Sequence, residues 1–150
     1  MSSDEKVTKD LIQTCKDGSE GFAKAADKLA ENGREDLASQ FRAFGTERAG
    51  FANELTGLAR QQGDDAESSG SVGGALHRGW ITVKDALAGS NDPEGVLDAA
   101  EQGEDHAKRE YARASKEDIS PTLRTVVGRQ YRAVASAHDT VKSLRNSLSS

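Results

Sequence analysis

The sequence predicts an all-α fold, a bundle of four long amphipathic helices, and three observations support this prediction. Apolar residues recur at alternating steps of three and four along four separate stretches, which is the spacing of one helix face. No stretch alternates with the period of two that a β-strand requires. The chain has only two prolines, and each follows a residue type that caps helix N-termini, Asp92 and Ser120. At a length of 150 residues, we expect one domain over positions 1–150.

The first two helices are predicted over residues 4–32 and 35–62. The apolar face of the first helix carries Leu11, Cys15, Gly18, Phe22, Ala26 and Leu29. The apolar face of the second helix carries Leu37, Phe41, Phe44, Arg48, Phe51, Leu55 and Leu58. Asn32 and Gly33 form a typical helix stop between them, because glycine readily adopts the left-handed conformation that ends a helix. So short a break indicates an antiparallel hairpin.

The stretch over residues 63–74 reads GDDAESSGSVGG, and it is predicted to be a connector because it is polar and rich in glycine. A short helix is then predicted over residues 72–88. Its apolar face carries Leu76, Trp80, Val83 and Leu87. A crossover of about 30 residues is long enough to run the length of a bundle. It predicts two helical hairpins in the up-down-down-up order of a ferritin-like four-helix bundle, since an up-down-up-down bundle needs only a short loop.

The last two helices are predicted over residues 93–117 and 121–148, and each begins with a capping residue followed by proline. The apolar face of the third long helix carries Leu97, Ala100, Glu104, Ala107, Tyr111 and Ala114. The apolar face of the last helix carries Leu123, Val127, Tyr131, Val134, His138, Val141 and Leu148. These two helices are expected to form the second hairpin.

Titratable positions interrupt the apolar stripes near the middle of the helices. Arg48, Glu104 and His138 interrupt three stripes, and the first helix carries Cys15 at a comparable depth. In a bundle of helices of similar length, these positions are expected to meet in one midplane layer. A buried charge is costly unless it is paired, so we expect Arg48 to pair with Glu104 and His138 to complete the network. The favoured interpretation is a closed polar network that sets helix register.

A metal site is the alternative interpretation of the same layer. Iron or manganese would take its ligands from inward carboxylates and a histidine, as di-iron bundles do. The candidate ligands are Glu20, Glu47, Glu54, Glu104 and His138. Di-iron bundles usually carry Glu-x-x-His on two helices, and this sequence contains no such motif. Arg48 also supplies positive charge where a metal would stand. The sequence therefore favours a protein with no cofactor and no catalytic residue.

The charge balance narrows the range of partners. The net charge is -5, and 25 acidic and 20 basic residues are interspersed along the chain. Without a basic face, nucleic acid and anionic membrane surfaces are disfavoured as partners. No segment has the roughly 20 consecutive apolar residues of a membrane span, and the first residues lack the apolar run of a secretory signal. A single cysteine, Cys15, excludes an internal disulfide. We therefore expect a soluble cytoplasmic protein.

Five segments occur in order along most of the chain: LIQTCKDGSEGF, ERAGFANEL, SGSVGGALHRGW, GEDHAKREY and RQYRAVASAHDTVKSLR. They include the patterns CxDGxxGF, ALHRGW and GEDxA. In these segments the chain resembles a bacterial four-helix-bundle family of unknown function that is ferritin-like in fold. The resemblance implies the fold and implies no activity.

Three hypotheses about function follow. The first is a non-catalytic bundle, a homodimer with a stress-associated or partner-binding role, for which the stress link is analogy with ferritin-like proteins. The second is a metal-binding oxidase or iron-handling protein that uses the five candidate ligands. The third is a peptide or small-ligand binding module at His77, Arg78 and Trp80 of the connector, residues that serve equally well as a polar rim around the tryptophan.

Overall fold

The computed structural model describes residues 3–63 and 83–149. It contains four long helices, which are α1 (Ser3–Glu31), α2 (Glu35–Gln61), α4 (Pro93–Ala114) and α5 (Pro121–Ser149). A further helical segment, α3, covers residues 83–88. These residues form no strand, so the prediction of an all-α fold is confirmed for the described part of the chain. The predicted connector motif of His77, Arg78 and Trp80 lies outside the described residues, as does most of the short helix predicted over 72–88.

The four long helices pack around a common core in which α1 contacts both α2 and α4. Helix α5 contacts α4 and, to a much smaller extent, α2. Two hydrogen bonds define the direction of α4 relative to α1. Near the start of α1, the Asp4 carboxylate accepts from the amide of Ser120, which follows α4, at 2.8 Å. Near the end of α1, Lys28 donates to the carbonyl of Ser90, which precedes α4, at 3.0 Å. Helices α1 and α4 are therefore antiparallel, and α2 and α4 run in the same direction.

Local sequence signals account for the helix ends. The Asp92 side chain accepts from the amide of Gly95 at 2.8 Å, with proline at the first helical position. Ser120 Oγ accepts from the amide of Leu123 at 3.3 Å at the start of α5. Between α1 and α2, Gly33 has a φ of 76°, a conformation that side-chain-bearing residues rarely adopt. The two cap-and-proline signals thus act as the sequence predicts.

Helix α4 ends earlier than its periodicity predicts. The expected end was residue 117, whereas the helix ends at Ala114. The guanidinium of Arg124 donates to the carbonyls of Ser115 and Glu117 at 3.0 and 2.8 Å. These hydrogen bonds satisfy carbonyls beyond the helix end, and the buried side chain of Ile119 anchors the turn to the core. A tertiary contact from the next helix therefore accompanies the early end of α4.

The core contains two apolar clusters, one towards each end of the bundle. The first includes Phe22, Leu29, Leu37, Phe41, Leu87, Val96, Leu97 and Val141. The second includes Val7, Leu11, Ile12, Cys15, Leu55, Tyr111, Leu123, Val127 and Val134. Within the first cluster, the rings of Phe22 and Phe41 meet edge to face, with centroids 5.5 Å apart. None of the helices in the described residues is both long and apolar enough to cross a membrane.

The tight contact between α1 and α2 depends on a small residue at Gly45. A Cβ atom at that position would lie 3.3 Å from both the Cβ of Phe22 and the carbonyl oxygen of Ser19. Glycine costs helix stability in a helix interior, and here it permits the close approach of two backbones.

Candidate functional site

A buried ion pair crosses the centre of the bundle between α2 and α4. Arg48 donates from Nη1 to Glu104 Oε1 at 2.8 Å and from Nη2 to Oε2 at 2.5 Å. The side chains are 1% and 3% exposed. A guanidinium and a carboxylate joined by two parallel hydrogen bonds form a strong and directional contact. The structure therefore brings together the two charged residues that the stripes place at midplane.

Helix α1 encloses the guanidinium of Arg48. A Cβ atom at Gly18 would lie 3.3 Å from Arg48 Nη1, so a glycine at this position leaves room for the charged group. The ring of Phe22 lies beside it, with its centroid 5.4 Å from Cζ, within cation–π range. The buried Nε of Arg48 has no hydrogen-bond partner among the described residues. The pair is thus enclosed but not fully satisfied, and removing either partner would leave an uncompensated buried charge.

Burial and pairing shift the pKa of each group in opposite directions. Burial by itself would lower the pKa of Arg48, but the charge of Glu104 and its two hydrogen bonds raise that pKa. Burial raises the pKa of Glu104, and the guanidinium opposes this shift. Because both carboxylate oxygens accept from Arg48, we assign Glu104 as ionised at neutral pH. Both oxygens of the Glu104 carboxylate are thus occupied by the guanidinium of Arg48.

A chain of hydrogen bonds leads from Cys15 on α1 to the surface. Cys15 Sγ lies 2.9 Å from the hydroxyl of Tyr111, which donates to Gln130 Oε1 at 2.6 Å. Gln130 Nε2 donates to Glu54 Oε1 at 2.8 Å. The other oxygen of Glu54 forms an ion pair with Arg129 at the surface. Since the Tyr111 hydroxyl proton is committed to Gln130, the Cys15 thiol is the donor in its own bond.

Cys15 is a packed thiol rather than a nucleophile in this environment. Burial raises its pKa to about 11, although its hydrogen bond with Tyr111 opposes the shift. Burial also raises the pKa of Tyr111 well above its usual value. Both groups are therefore neutral at pH 7, and only a thiolate is strongly nucleophilic.

Gln130 is a buried polar residue that the apolar stripe of α5 did not predict. It is fully buried, whereas Tyr131, the position assigned to the inward stripe, is only partly buried. Positions three and four residues beyond Val127 are both compatible with a helical period of 3.6, and hydrophobicity favoured the tyrosine. The only sequence signal for Gln130 is that the same spacing also connects it to Val134 and Ala137.

His138 lies outside the central pair, on the seam between α4 and α5. Its Nε2 is 2.5 Å from Asp105 Oδ1, and it makes no hydrogen bond to Glu104. Val134 and Val141, one turn to either side, are fully buried, while the His138 side chain is 11% exposed. Helices α4 and α5 lie side by side here. The imidazole of His138 contacts the half-exposed carboxylate of Asp105 and not that of Glu104. The expected network is therefore made of the Arg48 pair and the Cys15 chain, without His138.

The five candidate metal ligands do not converge. Glu20 pairs with Lys24 at 3.2 Å on the surface of α1, and Glu47 is exposed. Glu54 contacts Arg129, Glu104 contacts Arg48, and His138 contacts Asp105. Within residues 3–63 and 83–149, no three histidine, cysteine or acidic side chains are grouped so that they could hold a metal ion. These residues do not fit an iron or manganese site, which needs several converging ligands.

A small cavity lies between α1 and α4, next to α3. Its lining includes Gly18, Gly103 and Glu104, with Val83 and Leu87 of α3. Its volume of about 40 Å³ is room for about one water molecule. The glycines of this wall therefore allow close packing and do not create a ligand pocket.

The family model of a domain of unknown function, DUF2383, matches residues 5–117, from α1 into the turn after α4. No curated protein and no solved structure matches the chain. The comparisons therefore assign a family and transfer no activity.

Proposed function

The chain belongs to the DUF2383 family, whose function is unknown, and we propose from its geometry that it is a non-catalytic, ferritin-like bundle that works by binding a partner. The observation that carries the proposal is the ion pair of Arg48 and Glu104. In ferritin-like di-metal proteins, inward glutamates and histidines from four helices supply the ligands at this level. Here a guanidinium takes both oxygens of the inward glutamate.

The chain directions support the ferritin-like part of the proposal. Helix α1 is antiparallel to α4, and a break of three residues separates α1 from α2. Together these features correspond to an up-down-down-up order of the four long helices.

The partner in this proposal is a second copy of the chain, in a reducing cytoplasmic compartment. The net charge of -5 disfavours nucleic acid as a partner. The one cysteine is free and buried, which is typical of proteins that do not rely on disulfides. A stress-associated role rests on analogy with ferritin-like proteins and has no support from the site itself. Sedimentation equilibrium tests the homodimer, and a monomer at all concentrations would contradict it.

Metal content tests the non-catalytic proposal directly. Protein purified without chelator and offered ferrous iron, manganese or zinc should retain no stoichiometric metal after gel filtration, because Arg48 and a dication would compete for the same carboxylate. Elemental analysis provides the measurement. Stoichiometric iron that is lost in Glu104→Ala or His138→Ala but retained in His106→Ala would overturn the proposal in favour of an oxidase or iron-handling protein.

A further inference from the structure

A charged groove lies on the seam between α4 and α5, away from the central ion pair. Asp105, Lys108, Arg109 and Ala112 line it from α4, and Tyr131 and His138 line it from α5. Its volume is about 290 Å³. We propose that this groove, named here the α4–α5 groove, binds a small dianionic ligand that carries its charge on phosphate or carboxylate oxygens.

Two cations at the groove have no acidic partner. In the described part of the chain, neither Lys108 nor Arg109 forms an ion pair or a side-chain hydrogen bond. Most other arginines described are engaged by acidic side chains: Arg34, Arg42, Arg48, Arg113, Arg129 and Arg145. In a chain with 25 acidic and 20 basic residues, two adjacent cations without an acidic partner are available to an external anion.

The described lining of the groove also includes one acidic side chain, Asp105, whose carboxylate contacts His138. Residues 105, 108, 109 and 112 lie on one face of α4, at helical spacings of three and four. At one end of the groove, Asp105 is engaged with His138 Nε2 at 2.5 Å, so its carboxylate already has a hydrogen-bond partner. Lys108 and Arg109 follow on the next turn. An anion beside them meets two positive charges, and the neighbouring Asp105 carboxylate is already engaged by His138.

The lining also indicates the class of ligand. The guanidinium of Arg109 can donate two parallel hydrogen bonds to a phosphate or a carboxylate, and Lys108 adds a mobile point charge. The Tyr131 side chain and the methyl group of Ala112 offer apolar contact to the body of the ligand. The volume is close to the lower end of the range for small-molecule sites. A compact organic dianion with one ring matches this combination of charge, apolar surface and size.

This inference goes beyond the proposed function and rests on different residues. The groove uses neither Arg48 nor Glu104, and it does not depend on whether the centre of the bundle is closed to metal. The groove can bind a ligand whether or not the centre of the bundle binds metal. Each proposal can therefore be rejected by its own experiment without rejecting the other.

Isothermal titration calorimetry with phenyl phosphate and with phthalate tests the groove, since both probes are single-ring dianions that differ in their oxyanion. We expect one saturable site per chain for at least one probe. The double variant Lys108→Ala with Arg109→Ala should weaken binding by about tenfold or more, because it removes both charge-assisted contacts. Alanine at these partly or fully exposed helix positions preserves the fold, which circular dichroism checks.

The matched control removes the same charge elsewhere. Lys16 on α1 and Lys142 on α5 are exposed, lie outside the groove and form no ion pair in residues 3–63 and 83–149. Lys16→Ala with Lys142→Ala should leave the affinity within about twofold of the wild type, because only long-range attraction changes. Equal weakening in both double variants would show general charge attraction and overturn the site.

Two further results would also overturn the proposal. One is the absence of saturable binding of either probe up to about 10 mM, a concentration well above the dissociation constant of a useful site. The other is an affinity unchanged by the loss of Lys108 and Arg109. Asp105→Asn removes the one carboxylate that lines the groove among the described residues and should tighten binding. Weaker binding in this variant would contradict an anion held beside that position.

Discussion

Glu104 and Asp105 are adjacent acidic residues on α4, and the structure places them in opposite environments. Glu104 points across the bundle to Arg48, and its side chain is 3% exposed. Asp105 points along the α4–α5 groove to His138, and its side chain is 48% exposed. A step of one residue turns a helix by about 100°, which is enough to move a carboxylate from the centre of a bundle to its surface. Two chemically similar groups therefore have different physical consequences.

The comparison shows that burial determines what each carboxylate contributes. A buried charge that loses its partner cannot be rehydrated, so the fold depends on the pair remaining complete. A half-exposed charge retains water as an alternative partner, and its ion pair contributes little to stability. The same exposure leaves the groove accessible to external anions, while the centre is closed to them. Substitutions at the two sites should therefore lower the free energy of unfolding by different amounts.

The largest expected effect is the loss of one partner of the central pair. Arg48→Met and Glu104→Leu should each lower the free energy of unfolding by about 3 to 5 kcal/mol, because each strands the opposite charge in the core. The double variant should recover much of this loss, since two apolar side chains leave no buried charge. Urea unfolding of all four proteins forms the thermodynamic cycle. Simple additivity of the two single effects would mean that Arg48 and Glu104 are not coupled.

An intermediate effect is expected from the neutral hydrogen-bond chain. Tyr111→Phe removes the hydroxyl that joins Cys15 to Gln130 and leaves two buried polar atoms without their partner. The free energy of unfolding should fall by about 1 to 3 kcal/mol, the cost of unsatisfied buried groups.

Tyr131→Phe is the matched control, since no hydrogen bond of the Tyr131 hydroxyl occurs within the described residues. It should change stability by less than about 0.5 kcal/mol. Chemical denaturation of both variants provides the measurement. Equal losses in the two variants would show that the hydrogen bonds joining Cys15, Tyr111 and Gln130 do not determine the effect.

The smallest expected effect is at the groove. Asp105→Asn should lower the free energy of unfolding by at most about 1 kcal/mol, because the contact of Asp105 with His138 is partly exposed to water. Glu104→Gln is the corresponding substitution at the neighbouring residue, and it should cost several times more because Arg48 then has no charged partner. Thermal or urea unfolding compares the two. A loss in Asp105→Asn as large as that in Glu104→Gln would remove the distinction between the two sites.

Much of the fold could be predicted because helix formation depends on nearby residues. Steps of three and four predict all four long helices, and the pairs Asp92-Pro93 and Ser120-Pro121 predict two of their starts. The contact of Arg48 with Glu104 was also predictable, because few residues can satisfy a buried charge and both lie at midplane. The end of α4 was not predictable from the sequence, because Arg124, which donates to the carbonyls beyond Ala114, lies on another helix.

The sequence by itself determined the helices, their amphipathic faces and the need of each inward charge for a partner, because these follow from helical periodicity and from the cost of burying polar groups. Only the tertiary structure decided which polar residues meet. It buries Gln130 in place of Tyr131 and directs His138 to Asp105, choices that depend on helix rotations smaller than one residue step. It also forms the α4–α5 groove, since Lys108 and Arg109 become neighbours of Tyr131 only when two helices pack side by side. Periodicity identifies a face, and packing selects the residues that share it.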